Sequence, residues 1–209
     1  NWQSQNLDLI GHSCPERRIN MSILVHSCCG PCLGGSIETL KNAAGNETIE
    51  SFWYNPNIHP YLEYRQRLLS FDKLCKALKI KPNYTDIGYG LEFFLRNLDG
   101  KFGEERCFTC YRMRLEPTAR FAAANGFDSF TTTLLISPYQ QHELIIQASR
   151  KAAEEHSTRF FYVDLRPAFK QTYQVARDQD LYRQKYCGCI FSEYSRFNDD
   201  KRFQLPEIK

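Results

Sequence analysis

Seven of the nine cysteines in this 209-residue chain fall into three short groups. The groups lie far apart in the sequence and consist of Cys28, Cys29 and Cys32; Cys107 and Cys110; and Cys187 and Cys189. An odd total and tight spacing within each group argue against a disulfide framework. The pattern therefore indicates metal binding or thiol redox chemistry.

The pair Cys107 and Cys110 lies three residues apart at the predicted start of a helix, so both thiols can face the same way. The positive end of a helix also favours thiolate over thiol. A Cys-x-x-Cys pair alone is shared by zinc sites, iron–sulfur sites and redox dithiols. Three separate groups of cysteines in one small chain are a much stronger indication of a metal centre.

Two adjacent cysteines, Cys28 and Cys29, suggest two centres side by side. Neighbouring side chains diverge in most backbone conformations, so we expect each centre to take one of the pair. Seven thiols would divide into four for a [4Fe–4S] cluster and three for another metal ion, because such clusters take four thiolates. Counting does not assign individual cysteines to either centre.

Simpler uses of the cysteines leave part of the pattern unexplained. A thioredoxin-like dithiol accounts for Cys-Gly-Pro-Cys at 29–32 but for neither of the other groups. A structural zinc site takes four ligands and leaves three thiols over. Cys75, on the apolar face of a predicted helix, is expected to fill the core. Cys14 has no predicted role.

Predicted strands and helices alternate along the chain. The strands cover 23–27, 51–54, 83–87, 128–136 and 159–165, and the helices cover 33–44, 61–78, 112–125, 140–156 and 169–182. The alternation predicts an α/β fold: a doubly wound, mostly parallel sheet with helices on both faces, similar to pyrophosphatase-loop nucleotide hydrolases. Functional groups gather at the carboxyl ends of such strands, and the first cysteine group directly follows the first strand.

Domain organisation and charge are expected to be simple. Residues 1–22 are predicted to be a polar N-terminal extension, and 23–209 a single domain. No apolar stretch approaches the roughly 20 residues of a membrane helix, and we expect a cytoplasmic protein. The net charge of +3 neither requires nor excludes nucleic acid. The oligomeric state is not indicated.

Long motifs in the sequence resemble those of the QueH-type epoxyqueuosine reductases. They occur in order between residues 23 and 194, as LVHSCCGPC (24–32), YNPNIHPYLEYRQR (54–67), RCFTCYRMRL (106–115), GFDSFTTTLLISPYQQH (126–142), DLRPAF (164–169) and LYRQKYCGCIFSEYSR (181–196). The resemblance implies a [4Fe–4S] cluster beside a second metal, expected to be iron. All three cysteine groups match the family pattern, although a carboxylate in place of Cys32 could bind iron equally well.

The same resemblance implies that the substrate is tRNA carrying epoxyqueuosine at the wobble position and that the product is queuosine. Converting an epoxide to an alkene consumes two electrons and two protons, so an external one-electron donor is expected. A metal with an open position could polarise the epoxide oxygen. Asp164 is the first candidate proton donor, followed by Tyr139 and His59. Asp164 could instead pair with Arg166, Tyr139 could stack on the base, and His59 could order its loop.

Candidate tRNA contacts are basic residues for phosphates and tyrosines for base stacking. They are Arg65, Arg67, Arg112, Arg114 and Lys185, with Tyr54, Tyr61 and Tyr64. Arginines at this spacing are also common on exposed helices. Two other functions remain open: an ATP-dependent iron–sulfur tRNA thiolase, although Ser-Cys-Cys-Gly-Pro-Cys lacks its glycine-rich phosphate loop, and a non-catalytic zinc-binding RNA module.

Overall fold

The computed structural model describes residues 22–45, 47–85 and 88–198. Cys14 and all of the predicted N-terminal extension except Ser22 lie outside the described residues, as do the last two residues of the predicted third strand. Within the described part, no helix combines the length and the apolar character that crossing a membrane requires.

Five strands form one sheet in which every pairing is parallel. The strands are β1 (Ser22–His26), β2 (Thr48–Trp53), β3 (Pro82–Tyr84), β4 (Ser129–Thr132) and β5 (Arg159–Phe160), in the spatial order β3-β2-β1-β4-β5. The predicted α/β fold is confirmed. β1 is central and its residues Ile23, Leu24 and Val25 are fully buried, as expected for a strand covered on both faces.

Seven α-helices connect and follow the described strands. They are α1 (Gly30–Ala44), α2 (Tyr61–Leu78), α3 (Leu91–Leu98), α4 (Gly103–Ala124), α5 (His142–Glu155), α6 (Gln171–Asp178) and α7 (Ile190–Phe197). The sequence prediction missed α3 and α7, and it began α4 at residue 112. A helix of eight residues is only about two turns long, which leaves little hydrophobic periodicity to detect.

The last two strands are shorter than predicted. β4 ends at Thr132, whose hydroxyl accepts a hydrogen bond from the Leu134 N–H at 3.1 Å and caps a 3₁₀ helix over Thr133–Ile136. The Thr-rich apolar segment is therefore strand in its first half only. β5 retains two residues, and the chain then leaves the sheet towards a 3₁₀ turn at Arg166–Ala168.

The carboxyl edge of the sheet is held together by a buried histidine. His26 ends β1, and its ring nitrogens lie 2.9 Å from the Thr132 hydroxyl and 3.1 Å from the Tyr54 carbonyl. These bonds join β1 to the ends of β4 and β2. The turn that carries the first cysteines therefore starts from a rigid edge.

Two helices lie against α1 at close range. A Cβ at Gly30 would lie 2.5 Å from the Ser70 carbonyl oxygen of α2, and one at Gly35 would lie 2.7 Å from the Thr172 side chain of α6. Glycine at these positions allows α2 and α6 to flank the helix that begins at the cysteines. Cys75 on α2 is 1% exposed within the core, which confirms its predicted place.

Candidate metal centre

The first cysteine group forms a compact buried triad. The Sγ atoms of Cys28, Cys29 and Cys32 all lie within 4.8 Å of one another. Cys29 is the N-cap of α1, and its sulfur accepts a hydrogen bond from the Cys32 N–H at 3.3 Å. Among the described residues, this is the only group of three metal-binding side chains gathered so closely.

The prediction that the side chains of Cys28 and Cys29 diverge is wrong. Their sulfurs lie 4.0 Å apart in the same triad. The alternation that separates neighbouring side chains belongs to a regular strand, whereas these residues form the turn between β1 and α1. The turn brings both thiols to one side.

The protonation of the triad is uneven. Hydrogen bonds from the other two thiols hold the pKa of Cys28 well below its usual range. Burial raises the pKa of Cys29, and the hydrogen bonds with its two neighbours raise that of Cys32. Metal binding requires all three sulfurs as thiolates, so a bound cation would displace the protons of the triad.

The other four cysteines form a second group. Cys107 and Cys110 lie in the first turns of α4, while Cys187 lies in the loop before α7 and Cys189 is the N-cap of that helix. Cys110 and Cys189 are 6% and 4% exposed and pack with Phe94, Leu98 and Met113. Burial raises the pKa of Cys110 to about 12, and the nearby charges of the other three cysteines act in the same direction. All four residues line the same cavity, although among the described residues no three of their thiols are gathered as closely as those of the triad.

Both groups face one cavity of about 1060 Å³. Six of the seven thiols line it, and Cys29 lies fully buried beside them. Its described lining includes no carboxylate. It includes six cationic side chains, which are Arg67, Arg106, Arg114, Arg183, Lys185 and Arg196. The cavity is thus a positively charged pocket with sulfur ligands in its wall.

Arg67 holds the Cys187–Cys189 loop in place. Its guanidinium donates to the Cys187 carbonyl at 3.1 Å and to the Tyr186 carbonyl at 2.9 Å, and it forms an ion pair with Glu63 at 2.6 Å. Gly188 has φ +110°, and a Cβ there would lie 2.9 Å from Ile58. Arg67, predicted as a tRNA contact, is 1% exposed and instead positions two cysteines.

Arg114 is also buried, at 2% exposure, and it too was predicted to contact tRNA. It donates to the Cys110 carbonyl at 3.2 Å and to the Cys110 sulfur at 3.4 Å. Among the described residues no carboxylate pairs with it. A buried guanidinium requires a compensating negative charge, so Arg114 is suited to neighbour ionised sulfur.

The three predicted proton donors lie in different environments. Asp164 accepts hydrogen bonds from the Arg166 side chain at 2.9 and 2.6 Å, which lower its pKa to about 2. It is not among the described residues that line the cavity. His59 is buried, and its backbone N–H donates to the Gly188 carbonyl at 2.8 Å, so it orders the cysteine loop. Tyr139 lines the cavity and is 84% exposed.

The remaining predicted tRNA contacts are also scattered. Lys185 is exposed and lines the cavity, whereas Tyr61 and Arg65 are exposed on α2 outside its described lining. Arg112 forms ion pairs with Glu116 and Glu155.

The structure corrects the stacking role predicted for Tyr54 and Tyr64. They are 4% and 7% exposed, and the Tyr64 hydroxyl accepts a hydrogen bond from the Trp53 indole at 3.2 Å. Neither ring has a free face on which a base could stack.

Sequence reasoning missed several cavity residues, among them Gln184. Its amide nitrogen lies 3.0 Å from the Cys29 sulfur and 3.4 Å from the Cys32 sulfur. Arg183 and Gln184 come shortly before Cys187, so their place in the same motif as the third cysteine group was the available signal.

The fold and the site define a parallel α/β protein with a cavity lined by cysteines and cationic side chains, in which a buried thiol triad could hold a metal ion. Comparison with known proteins makes this specific. The profile of the family described as epoxyqueuosine reductase QueH matches residues 23–195, and the chain belongs to this family of oxidoreductases.

Individual relatives agree with the family profile. A protein named epoxyqueuosine reductase QueH from Dehalococcoides mccartyi is 35% identical over 84% of this chain and 94% of its own length. One from Thermotoga maritima is 33% identical over 84% of this chain and 92% of its own length. A third from Helicobacter pylori is 40% identical over 81% of this chain but only 49% of its own length.

Proposed function

We propose that this protein reduces epoxyqueuosine to queuosine at the wobble position of tRNA, with a [4Fe–4S] cluster and an adjacent iron ion. The substrate follows from the name shared by its relatives. The observation that carries the proposal is the gathering of seven cysteines at one cavity, six of them in its lining and three of them forming a buried triad.

The donor set fits the two metal centres. Four thiolates are the usual ligands of a [4Fe–4S] cluster, and the group of Cys107, Cys110, Cys187 and Cys189 would supply them. The triad would hold the second metal, because thiolates suit iron and leave a coordination position open. When bound, the cluster supplies single electrons from an external donor, and the second metal supplies a Lewis acid for the epoxide oxygen.

The protein's own residues support this chemistry in two ways. Arg114 places a buried positive charge beside Cys110, which offsets the negative charge of metal-bound thiolates. The cationic lining attracts the phosphates of an RNA loop. Asp164 is ionised and bonded to Arg166, so its contacts do not support the predicted role as proton donor.

The turn after β1 disfavours a phosphate-binding role of the thiolase kind. The Cys28 N–H donates to the Thr133 hydroxyl at 3.1 Å, and the Cys32 N–H donates to the Cys29 sulfur at 3.3 Å. These amides already have partners within the protein, whereas a phosphate cradle needs amides directed at the ligand.

Purification without oxygen followed by iron, sulfide and EPR measurements tests the proposal. We expect a brown protein with about four cluster irons and one further iron. The Cys28→Ala/Cys32→Ala variant should keep cluster sulfide but lose the extra iron and the turnover of tRNA from a strain that accumulates the epoxide. A colourless zinc protein, a dependence on ATP, or full turnover by this variant would contradict the proposal.

A further inference from the structure

Tyr139 is an exposed aromatic residue on a firmly held loop. The Tyr111 hydroxyl donates to the Gln140 side chain at 2.7 Å and accepts from the Gln141 N–H at 3.2 Å. The Gln140 N–H donates to the Ser137 carbonyl at 3.3 Å. Hydrogen bonds therefore fix the loop on both sides of Tyr139. The Tyr139 ring is 84% exposed and lines the cavity.

A row of aromatic rings continues from Tyr139 along the cavity wall. The Tyr139 and Phe169 rings meet edge to face at 5.8 Å, and the Phe169 and Tyr173 rings do so at 5.5 Å. The Arg183 guanidinium carbon lies 3.7 Å from the centre of the Tyr173 ring. All four residues line the cavity, and we call Tyr139, Phe169 and Tyr173 the aromatic row.

The charge of the cavity identifies what the aromatic row is suited to bind. Three cations of the cavity lining, Arg183, Lys185 and Arg196, are exposed and have no carboxylate partner among the described residues, so the complementary ligand is a polyanion. An exposed ring next to such charge is the combination by which proteins hold unpaired bases of RNA, with the ring stacking on the base and the cations contacting phosphates. A purely apolar ligand would use the aromatic rings but would have no use for the cationic side chains beside them.

The difference in exposure between the triad and Tyr139 indicates which base would contact the aromatic row. The triad thiols are at most 8% exposed, whereas Tyr139 is 84% exposed. The triad thiols thus belong to the buried part of the site, and Tyr139 belongs to the exposed part of the cavity lining. The ring is therefore available to a neighbour of the reacting nucleotide rather than to that nucleotide itself.

We propose that Tyr139 is the stacking platform for an unpaired base adjacent to the target nucleotide, supported by the rest of the aromatic row and by the charge of Arg183. This inference rests on the proposed tRNA substrate and deepens it. It also gives Tyr139 a binding role in place of the predicted role as proton donor, because stacking requires the ring and proton donation requires the hydroxyl.

Direct binding of an anticodon stem-loop with guanosine at the wobble position tests the proposal without requiring turnover. We expect Tyr139→Ala to raise Kd about tenfold, the loss that about 1.4 kcal/mol of stacking represents. Tyr139→Phe should restore the affinity. The matched control is Tyr84→Ala, a 45% exposed tyrosine on β3 outside the described cavity lining, which should bind like the unaltered protein.

A second RNA locates the stacked base. Replacing each base that flanks the wobble nucleotide by an abasic site should weaken binding of the unaltered protein at one position by about tenfold. The same replacement should not weaken binding by Tyr139→Ala further. Equal losses in both proteins, or equal losses for Tyr139→Ala and Tyr84→Ala, would overturn the stacking role.

Turnover separates this inference from the proposed function. If Tyr139→Phe bound normally but lost single-turnover reduction, the hydroxyl would be chemically required and the proposal would be overturned. If the unaltered protein bound the loop but never reduced epoxyqueuosine, the proposed function would fail while the stacking site stood. Failure of the unaltered protein to bind the loop would overturn the stacking site.

Discussion

Replacing Arg67 with Met tests how the structure holds the third cysteine group. Met keeps much of the side-chain volume but removes a guanidinium that is 1% exposed. The Cys187 and Tyr186 carbonyls lose their donor, and Glu63 loses its ion-pair partner. Glu63 then keeps the Tyr182 hydroxyl as its remaining hydrogen-bond donor among the described contacts.

The expected cost follows from the burial of the pair. Removing one partner of a buried ion pair costs about 3–5 kcal/mol, because the other charge stays buried without compensation. The free energy lost with the two hydrogen bonds to carbonyls is partly included in this cost, because the contacts of one side chain are not additive. A domain of this size has about 5–15 kcal/mol of total stability, so Arg67→Met should remove a large part of it.

Urea unfolding of anaerobically purified protein measures the change, together with iron content. Arg65→Met is the matched control: it lies on the same helix but is exposed, so we expect a change within about 0.5 kcal/mol. A Glu63→Leu/Arg67→Met double variant should recover part of the stability because no unpaired charge remains. A loss below about 1 kcal/mol for Arg67→Met, with iron fully retained, would refute this account of the cysteine loop.

Three further outcomes are expected. Arg114→Met should shift the reduction potential of the proposed cluster to more negative values in an EPR-monitored titration, because a nearby cation stabilises the more negatively charged reduced state. Arg114→Lys should reverse part of this shift. An unshifted potential in Arg114→Met would count against charge compensation. Cys75→Ala should leave iron content unchanged in metal analysis, whereas Cys32→Ala should lower it. Burial lowers the pKa of His26 to about 4. As the pH falls, the His26 imidazole is therefore protonated in the unfolded chain before it is protonated in the folded protein. The free energy of unfolding falls by about 3 kcal/mol between pH 6.5 and pH 4. Unfolding titrations of His26→Asn should show a flatter pH dependence.

Much of the fold could be predicted from local patterns. The apolar run at 23–27 and the strong helical periodicity of 61–78 correspond closely to β1 and α2. The errors lie where periodicity is short or is overridden. α3 and α7 are too short to show a clear pattern, and the Thr-rich segment after Phe130 turns into a 3₁₀ helix through a side-chain cap that composition does not reveal.

The charged residues show why side-chain roles were harder to predict than elements. Arg65 and Arg67 are two positions apart on α2, and nothing local distinguishes them. The helix turns one towards solvent and the other beneath the Cys187 loop, where it binds carbonyl groups. Contacts between residues more than a hundred positions apart cannot be inferred from either neighbourhood.

The sequence by itself determined that this protein is an α/β protein with three cysteine groups suited to metal binding, because strand and helix periodicity and cysteine spacing are local properties of the chain. The tertiary structure alone decided where the thiols lie relative to one another. It joined Cys28 and Cys29 in one triad and brought the cysteines of α4 and the last loop together, since these arrangements depend on turn geometry and on packing between distant segments. The same packing buried Arg114 and left Tyr139 exposed at the cavity.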